Sequence, residues 1–317
     1  MKEYNENLAK RFVSDYKLPI QNFNALSFPY YLDLYEKDFR AKTKWKNLIR
    51  LIKERFDSNS ELFLAEYYKK RDEIITSILN SSEYQEFNNM DMSVFAVKDK
   101  LNIPKTNIYN GANIGKRFLS IDMKKANFQA LKYVGVIKDA ETYEDFIHKY
   151  TDLDYIANSK YTRQVIFGKL NPKRHITVEK FLINKVAELY MNNFDFGTIV
   201  SMTNDEIVIE LSDDAHINLI NLTEKIKRYA KIDVRCEIFK LYGIQLSTNS
   251  GKKREMMYMK KISLPYMKTD YACIPVTYHA IVYKLLNDLG LNKIDFQFSY
   301  EGLQCSFDEN FKLEIIR

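Results

Sequence analysis

The sequence predicts an α+β protein whose first third is helical and whose remainder combines helices with an antiparallel sheet. In the first third, apolar residues recur three and four positions apart, which is the spacing of one helix face. After residue 117, short β-branched runs alternate with helix-forming segments, and one pair of runs flanks a polar turn. The 317 residues contain no internal repeat or low-complexity linker. We therefore expect a helical region over residues 1–93, a mixed domain over residues 94–265, and a helix with a hairpin over residues 266–317.

Two N-terminal segments show the helix pattern most clearly. Residues 43–56, TKWKNLIRLIKERF, place Trp45, Leu48 and Ile52 on one face. Residues 60–80, SELFLAEYYKKRDEIITSILN, continue the pattern and begin with a serine, a residue type that caps helix N-termini. The aromatic stretch before them, LSFPYYLDLY, is interpreted as core packing between helices.

The mixed domain begins with a short helix, a loop and a buried strand. Residues 93–102, SVFAVKDKLN, predict the helix, and residues 103–116 predict a loop because they contain Pro104 and two glycines. The strand that follows, FLSID, ends on Asp122. An acid at the mouth of a core strand is typical of a position that holds a ligand, often a metal.

Six further elements predict the topology of this domain. They are the helices 124–135, 142–151 and 171–193, the hairpin with runs 198–201 and 207–211, the helix 215–231 and the strand 234–244. The order strand, helix, hairpin, helix, strand is that of a ferredoxin-like (split βαβ) arrangement. In this topology the end of the first strand lies beside the hairpin turn. Asp122 is therefore expected near Asp205 and Glu206.

The C-terminal part carries a basic run and two more elements. The run GKKREMMYMKK spans residues 251–261. A helix is predicted over residues 276–290, and a hairpin over residues 293–307 that turns at Glu301 and Gly302.

Composition sets limits on the partner and the compartment. The net charge of +6 is a mild excess of basic residues, which fits a nucleic-acid partner without requiring one. The three cysteines are far apart and have no zinc-binding spacing, so we expect a reducing, cytoplasmic compartment. The first residues lack the apolar core of a signal peptide, and no long apolar window predicts membrane association. The sequence carries no signal for an oligomeric state.

Three carboxylates at one strand edge repel each other unless cations neutralise them. Hard oxygen ligands suit Mg²⁺ or Mn²⁺, ions that also bring water and substrate phosphates. Two such ions about 4 Å apart can activate an attacking hydroxyl and stabilise a leaving pyrophosphate. Asp122, Asp205 and Glu206 are therefore the candidate metal ligands. The alternative interpretation is a solvent-exposed hairpin turn, since many turns are rich in Asp and Asn.

The segments that carry these acids resemble the palm domain of reverse transcriptases, over about residues 95–265. SIDMKKANFQAL is similar to their motif A, in which a strand ends in Asp and is followed by a polar stretch, Ala, an aromatic and Gln. VSMTNDEIVIEL resembles motif C, a hairpin with paired acids at its turn. RQVIFGKLNPKRHITVEKF loosely resembles motif B, and the elements of residues 222–244 fall where motif D lies.

Two features depart from that family. Its motif C usually has two Asp, whereas Asn204, Asp205 and Glu206 stand here. The Asp-Glu pair is instead similar to the palms of tRNA-His guanylyltransferases and diguanylate cyclases. Motif B usually has Gln-Gly, but Val165 follows Gln164 in this chain. The resemblance therefore favours a palm nucleotidyltransferase over any named subfamily.

The resemblance also implies roles for individual residues. Asp122 would bind both metals, Asp205 would be its main partner, and Glu206 would be secondary. The other implied substrate contacts are the motif A backbone and neighbouring side chains: Met123, Lys124, Lys125, Ala126, Asn127, Phe128, Arg163 and Gln164. The implied nucleic-acid contacts are basic residues that could pair with phosphates: Lys169, Lys173, Arg174, Lys252, Lys253 and Arg254.

Asn127 stands five residues after Asp122, where reverse transcriptases typically have an aromatic that blocks the ribose 2′-hydroxyl. An Asn side chain has both a donor and an acceptor and can bond that hydroxyl, which predicts a preference for NTPs. Two alternatives remain open: Phe128 is the gate, or Asn127 caps the following helix and contacts no substrate.

Three functional hypotheses follow. The first is two-metal nucleotidyl transfer, in which nucleoside triphosphates are added to the end of an RNA or DNA strand. The second is a metal-dependent nuclease, because FLSID also resembles the first strand of an RNase H-like fold. The third is a palm without catalysis that binds nucleic acid or acts as a scaffold.

Overall fold

The computed structural model describes residues 5–97, 103, 107–212, 214–308 and 310–316. Its helices are, in chain order, α1 (Glu6–Tyr16), α2 (Ser27–Leu34), α3 (Glu36–Phe39), α4 (Ala41–Arg55), α5 (Ser60–Asn80), α6 (Ser82–Asn89), α7 (Ala126–Tyr133), α8 (Tyr143–His148), α9 (Asp154–Asn158), α10 (Lys160–Gly168), α11 (Pro172–Asn193), α12 (Leu219–Ala230) and α13 (Val276–Leu286). Its strands are β1 (Arg117–Met123), β2 (Gly197–Met202), β3 (Glu206–Leu211), β4 (Val234–Thr248), β5 (Met257–Leu264), β6 (Lys268–Cys273), β7 (Gln297–Tyr300), β8 (Leu303–Ser306) and β9 (Phe311–Ile316). No helix in these described ranges is both long and apolar enough to cross a membrane.

The chain forms two compact units, and each draws on separate parts of the sequence. Unit 1 consists of Met1–Ile78, Glu141–Leu170 and Pro275–Lys312, and unit 2 consists of Leu79–Ala140, Asn171–Ile274 and Leu313–Arg317. The three consecutive segments predicted from the sequence are divided differently. Residues 141–170 belong to unit 1 and pack with the N-terminal helices, although the segments on either side of them in the sequence belong to unit 2. The amino-acid composition does not indicate this long-range packing.

Unit 1 is mainly helical, and a buried polar network surrounds Asp15 at its centre. The Asp15 carboxylate accepts hydrogen bonds from the hydroxyls of Tyr67 at 2.8 Å, Tyr155 at 2.7 Å and Ser159 at 2.8 Å. Arg11 precedes it by one turn of α1, and its Nε lies 3.2 Å from the same carboxylate. Buried charges are tolerated when they are paired and hydrogen-bonded, so this network connects α1 with α5, α9 and α10.

Unit 2 is built on an antiparallel sheet with the strand order β2-β3-β1-β4-β5-β6, and β9 also pairs with β4. Strand β1 lies between β3 and β4 and is antiparallel to both. Strands β2 and β3 form the predicted hairpin, and β5 and β6 extend the sheet beyond β4. The predicted α+β class with an antiparallel sheet is therefore confirmed.

One face of the sheet is apolar and covered by helices. Leu119 and Ile121 of β1 point to the same side as Ile209 and Ile207 of β3, because directly paired residues share a face. All four side chains are buried. Helix α11 packs against α7, α12 and β3, and α12 packs against β4. Burial of one sheet face under amphipathic helices is the main packing interaction of this unit.

The opposite face begins apolar and becomes acidic along β1. Phe118, Val208 and Phe239 belong to a buried cluster on this face. Side chains alternate along a strand, so the next two β1 residues on this face are Ser120 and Asp122. Asp122 and Glu206 therefore lie at one end of this face, opposite the face that α11 and α12 cover.

Most predicted elements are confirmed, and their ends differ by a few residues. The helix predicted over residues 60–80 is α5, and the helix predicted over residues 171–193 is α11. Thr142 caps α8 as predicted, because its hydroxyl accepts from the Asp145 amide at 3.1 Å. Helix α12 starts later than predicted, because Asn218 caps it by accepting from the Asn221 amide.

One prediction of local structure needs correction. In the described part of residues 93–102, the chain forms a short 3-10 turn, Met92–Phe95, and Ala96 is already extended. Residues 98–102 lie outside the described residues. The last residues of the basic run 251–261 belong to β5, a strand that the sequence analysis did not predict. The hairpin predicted to turn at Glu301 and Gly302 is confirmed as β7 and β8.

Candidate functional site

Asp122 lies at the centre of the candidate site because of its position in the sheet. It is directly opposite Glu206 of β3 on one side and Arg235 of β4 on the other. The Met123 amide donates to the Asp205 carbonyl at 2.8 Å, so Asp122 and Glu206 form the neighbouring non-hydrogen-bonded pair. Side chains approach most closely in such a pair, and like charges placed there are destabilising.

Asp205 lies at the predicted hairpin turn, one residue before β3. It lies in the turn between β2 and β3, where its carboxylate accepts from the Thr203 hydroxyl at 3.1 Å. Glu206, the predicted secondary partner, is the residue that directly faces Asp122. The register therefore pairs Asp122 directly with Glu206 and places Asp205 one residue before that pair, in the turn.

Two basic side chains already pair with these acids. Arg235 donates from Nη2 to Asp122 Oδ2 at 2.9 Å, and its Nε lies 3.7 Å from Glu237 Oε1. Lys260 Nζ is 4.0 Å from Glu206 Oε1 and lies over the ring of Phe239. Each member of the opposed acid pair thus has a cation of the protein next to it.

Glu206 is also fixed by a neutral donor. The Ser120 hydroxyl donates to Glu206 Oε1 at 2.5 Å. Ser120 precedes Asp122 by two residues on the same face of β1, and it is buried. This bond across the strands holds the Glu206 carboxylate over β1, on the side of Asp122.

Asp122 is a destabilised carboxylate in spite of its ion pair. Burial is the largest cause that raises its pKa to about 6, and the charge of Arg235 opposes that shift. The negative charges of Glu206, Asp205 and Glu237 raise the pKa further. The net direction shows that burial and repulsion together outweigh the single cation. The negative charge of Asp122 is therefore only partly compensated by Arg235, and a second cation at this position would stabilise the ionised carboxylate.

A buried glutamate on α11, which the sequence interpretation missed, lies on the helix side of the sheet and is close enough to Asp205 to feel its charge. Glu179 is 4% exposed, and its Oε1 accepts from the Asn127 side-chain amide at 2.8 Å. Burial raises the pKa of Glu179 to about 7, and the charge of Asp205 contributes in the same direction. Its signal in the sequence was a single acid on the apolar side of an amphipathic helix.

The two open alternatives for Asn127 are separated by its contacts. Helix α7 begins after Lys125, and no side chain caps it, so Asn127 is not the capping residue. Phe128 is 2% exposed and belongs to the core, which places its ring away from any substrate at the surface. Asn127 is half-buried and is the polar side chain of this turn that contacts Glu179.

The remaining motif A residues form the turn after β1. Met123 and Ala126 are buried, and Lys124 is exposed while its amide donates to the Asp233 carbonyl at 2.9 Å. Lys125 adopts a left-handed backbone conformation at the start of α7, with φ at 53°. That conformation is uncommon for a residue with a side chain and produces the sharp change from strand to helix.

The predicted basic contacts are spread over the chain. Arg174, near the start of α11, donates to the Met90 carbonyl, and Lys173 beside it is exposed. Lys253 pairs with Ser247 and lies 3.4 Å from Glu314. Ser247 is twelve residues beyond Arg235 on β4, or roughly 40 Å at the usual rise of a strand. Lys252, Lys253 and Arg254 are therefore far from Asp122.

The predicted motif B residues belong to the other unit. Arg163, Gln164 and Lys169 lie on or directly after α10 in unit 1. The Arg163 guanidinium lies 5.7 Å from the ring centre of Tyr143, and burial lowers its pKa. Gln164 and Lys169 are exposed.

The possible metal ligands of the candidate site are carboxylate side chains. Within the described ranges, no group of three or more His, Cys, Asp or Glu side chains is arranged to hold a metal ion. The chain matches no family model, and no curated protein or solved structure matches it either.

Proposed function

We propose that unit 2 is a ferredoxin-like palm that carries out metal-dependent nucleotidyl transfer to the end of a nucleic acid. The observation that carries the proposal is the direct opposition of Asp122 and Glu206 on neighbouring central strands, beside the hairpin turn that holds Asp205. The strand order β2-β3-β1-β4 supports it, since this is the order of a split βαβ sheet. The acids lie on the face that the helices leave open, where a long polymeric substrate has access.

The residues present fit Mg²⁺ or Mn²⁺ by their chemistry. Asp122 and Glu206 offer carboxylate oxygens, which are the ligands that Mg²⁺ prefers, and their opposition leaves negative charge incompletely compensated. Mg²⁺ at phosphate-transfer sites is commonly held by one or two carboxylates together with substrate phosphates. A two-carboxylate site that a nucleotide completes therefore matches this arrangement.

Each side chain of the site has a definite task in this proposal. Asp122 and Glu206 would hold the divalent cations, and Asp205 would add negative charge beside them. When bound, the metal would polarise the phosphoryl oxygens and lower the pKa of the attacking hydroxyl. Arg235 and Lys260, released from the carboxylates, would bind phosphate oxygens by charge-assisted hydrogen bonds. Asn127 would contact the ribose.

A second candidate function rests on the same ion pairs. Arg235 and Lys260 neutralise Asp122 and Glu206 without any metal. A palm that has replaced its metals by basic side chains would bind nucleic acid or nucleotides and would transfer nothing. Nucleotide binding without incorporation distinguishes this scaffold from the enzyme.

The proposal is tested by incubating the purified protein with a labelled primer, with or without a template, and with NTPs or dNTPs in Mg²⁺ or Mn²⁺. We expect metal-dependent extension by the wild type and none by Asp122→Asn or Glu206→Gln. Glu210→Gln is the matched control, because Glu210 lies on the same strand and face but pairs with Lys116 at 3.0 Å. Extension that survives Asp122→Asn would contradict the proposal. Metal-dependent shortening of the primer without nucleotides would identify the nuclease instead.

A further inference from the structure

Two lysines face each other directly on the side of the sheet that points away from Asp122. Lys240 of β4 is paired with Lys261 of β5. Lys240 is five residues along β4 from Arg235, which faces Asp122, so alternation places Lys240 on the reverse face. Both lysines are exposed. Like charges directly opposite in a sheet are destabilising, so this pair costs stability in the free protein.

A tyrosine ring lies close to both ammonium groups. Tyr242 follows Lys240 by two residues, on the same face, and is half-buried. Its ring centre is 5.1 Å from Lys261 Nζ and 6.0 Å from Lys240 Nζ. In the described part of the chain, neither lysine has an ion-pair partner. We call Lys240, Lys261 and Tyr242 the lysine platform.

The charge continues across the neighbouring strand. Arg117 of β1 is paired with Lys240, so three cationic residues form a row over β1, β4 and β5. Adjacent strands are separated by about 4.8 Å, which makes the row roughly 10 Å long. Arg117 also donates to the Ser212 carbonyl at 3.2 Å, which holds it near the sheet. A row of this length can contact consecutive phosphates.

We propose that the lysine platform binds the backbone of a single-stranded nucleic acid, with a base stacked on Tyr242. Single-strand binding sites combine cationic side chains along the backbone with aromatic rings, because every base has a stacking face. An anionic strand would also remove the repulsion between Lys240 and Lys261. The platform goes beyond the proposed function, since it lies on the other side of the sheet from the acids and would anchor a strand away from any reacting end.

The test measures fluorescence anisotropy of labelled single-stranded RNA and DNA of about 12 nucleotides, a length within usual site sizes. Binding is measured in EDTA over about 50 to 200 mM KCl, where phosphate contacts give a steep salt dependence. The double variant K240Q/K261Q should reduce the slope of log K against log salt by about 1.4, as expected for two lost contacts to a single strand. Tyr242→Ala should weaken binding roughly tenfold, and Tyr242→Phe should retain it.

The matched control is Lys225→Gln, which removes another lysine from over an aromatic ring, that of Phe194. It should bind like the wild type. Because all binding is measured in EDTA, the result does not depend on the proposed metal-dependent transfer. Thermal melts verify that each variant is folded. A wild type that does not bind, a double variant with the wild-type slope, or an equal loss in Lys225→Gln would each overturn the platform.

Discussion

Asn127 donates its side-chain amide to the buried carboxylate of Glu179 at 2.8 Å. While Glu179 is ionised its carboxylate only accepts, so the bond then orients the amide nitrogen of Asn127 toward it. The Asn127 oxygen then remains as an acceptor, which suits a hydroxyl donor such as the ribose 2′-OH. The contact therefore fixes the direction in which the Asn127 side-chain oxygen points.

The first prediction concerns sugar selection. The wild type should prefer NTPs to dNTPs, and Asn127→Ala should lose about fivefold of that preference, the worth of about one hydrogen bond. Asn127→Tyr should shift selection toward dNTPs by steric exclusion of the 2′-hydroxyl. Incorporation rates with the two nucleotide sets measure the ratio. A wild type that strongly prefers dNTPs would show this role of Asn127 to be wrong.

The second prediction is a pH dependence of stability from Glu179. Burial, reinforced by Asp205, raises its pKa in the folded protein to about 7, above its ordinary value of 4.5. The folded state therefore holds the proton more tightly, and the stability that it contributes is lost as the pH rises from about 4.5 through 7. Glu179→Gln should remove up to about 3 kcal/mol of that decline. Urea denaturation at several pH values measures it. An unchanged decline in the variant would exclude Glu179 as its source.

The third prediction is that Asp122→Asn is more stable than the wild type without metal. Its raised pKa shows that burial and the neighbouring acids outweigh Arg235, so the ionised form is disfavoured by folding. The gain should be on the order of 2 kcal/mol above pH 6 and should vanish below about pH 3, where the carboxyl group is protonated in both the folded and the unfolded state. Thermal melts in EDTA at the two pH values measure the gain. A lower melting temperature for the variant at neutral pH would mark Asp122 as a structural partner of Arg235.

The fourth prediction is that Arg235 competes with the metal. Arg235→Gln should bind Mn²⁺ about fivefold more tightly, since a partly exposed ion pair is worth about 1 kcal/mol. The same variant should need more nucleotide for incorporation, because it loses a phosphate contact. Mn²⁺ titration followed by electron paramagnetic resonance measures the affinity. Arg228→Gln, which breaks an exposed pair with Glu224, is the control.

Four strands of the sheet followed from local signals, whereas β5, β6, β9 and the composition of the site did not. Alternation and turn residues located β1, the β2–β3 hairpin and β4, and their order predicted that Asp122 would lie near Asp205 and Glu206. Arg235 was missed although it belongs to an alternating strand, because its importance depends on the register with β1. A register is fixed by packing of whole faces, which no short segment reveals.

The roles of Glu179 and Lys260 could not be predicted from the sequence, because they depend on contacts between distant segments. Glu179 reaches Asn127 only because α11 packs against α7, fifty-two residues away in the sequence. Lys260 is one of several residues in a basic run, and only strand alternation separates it from Lys261 on the reverse face. The same alternation divides that run between the candidate acid site and the lysine platform.

The most direct measurement is a crystal structure of the protein with Mn²⁺ and a non-hydrolysable nucleotide, using the anomalous signal of the metal. We expect a Mn²⁺ ion about 2.2 Å from an oxygen of Asp122 and from an oxygen of Glu206, near the usual distance for hard cations. We also expect Arg235 to have moved from Asp122 to the phosphates. Saturating Mn²⁺ with no anomalous peak between these carboxylates, and with Arg235 still bound to Asp122, would contradict it.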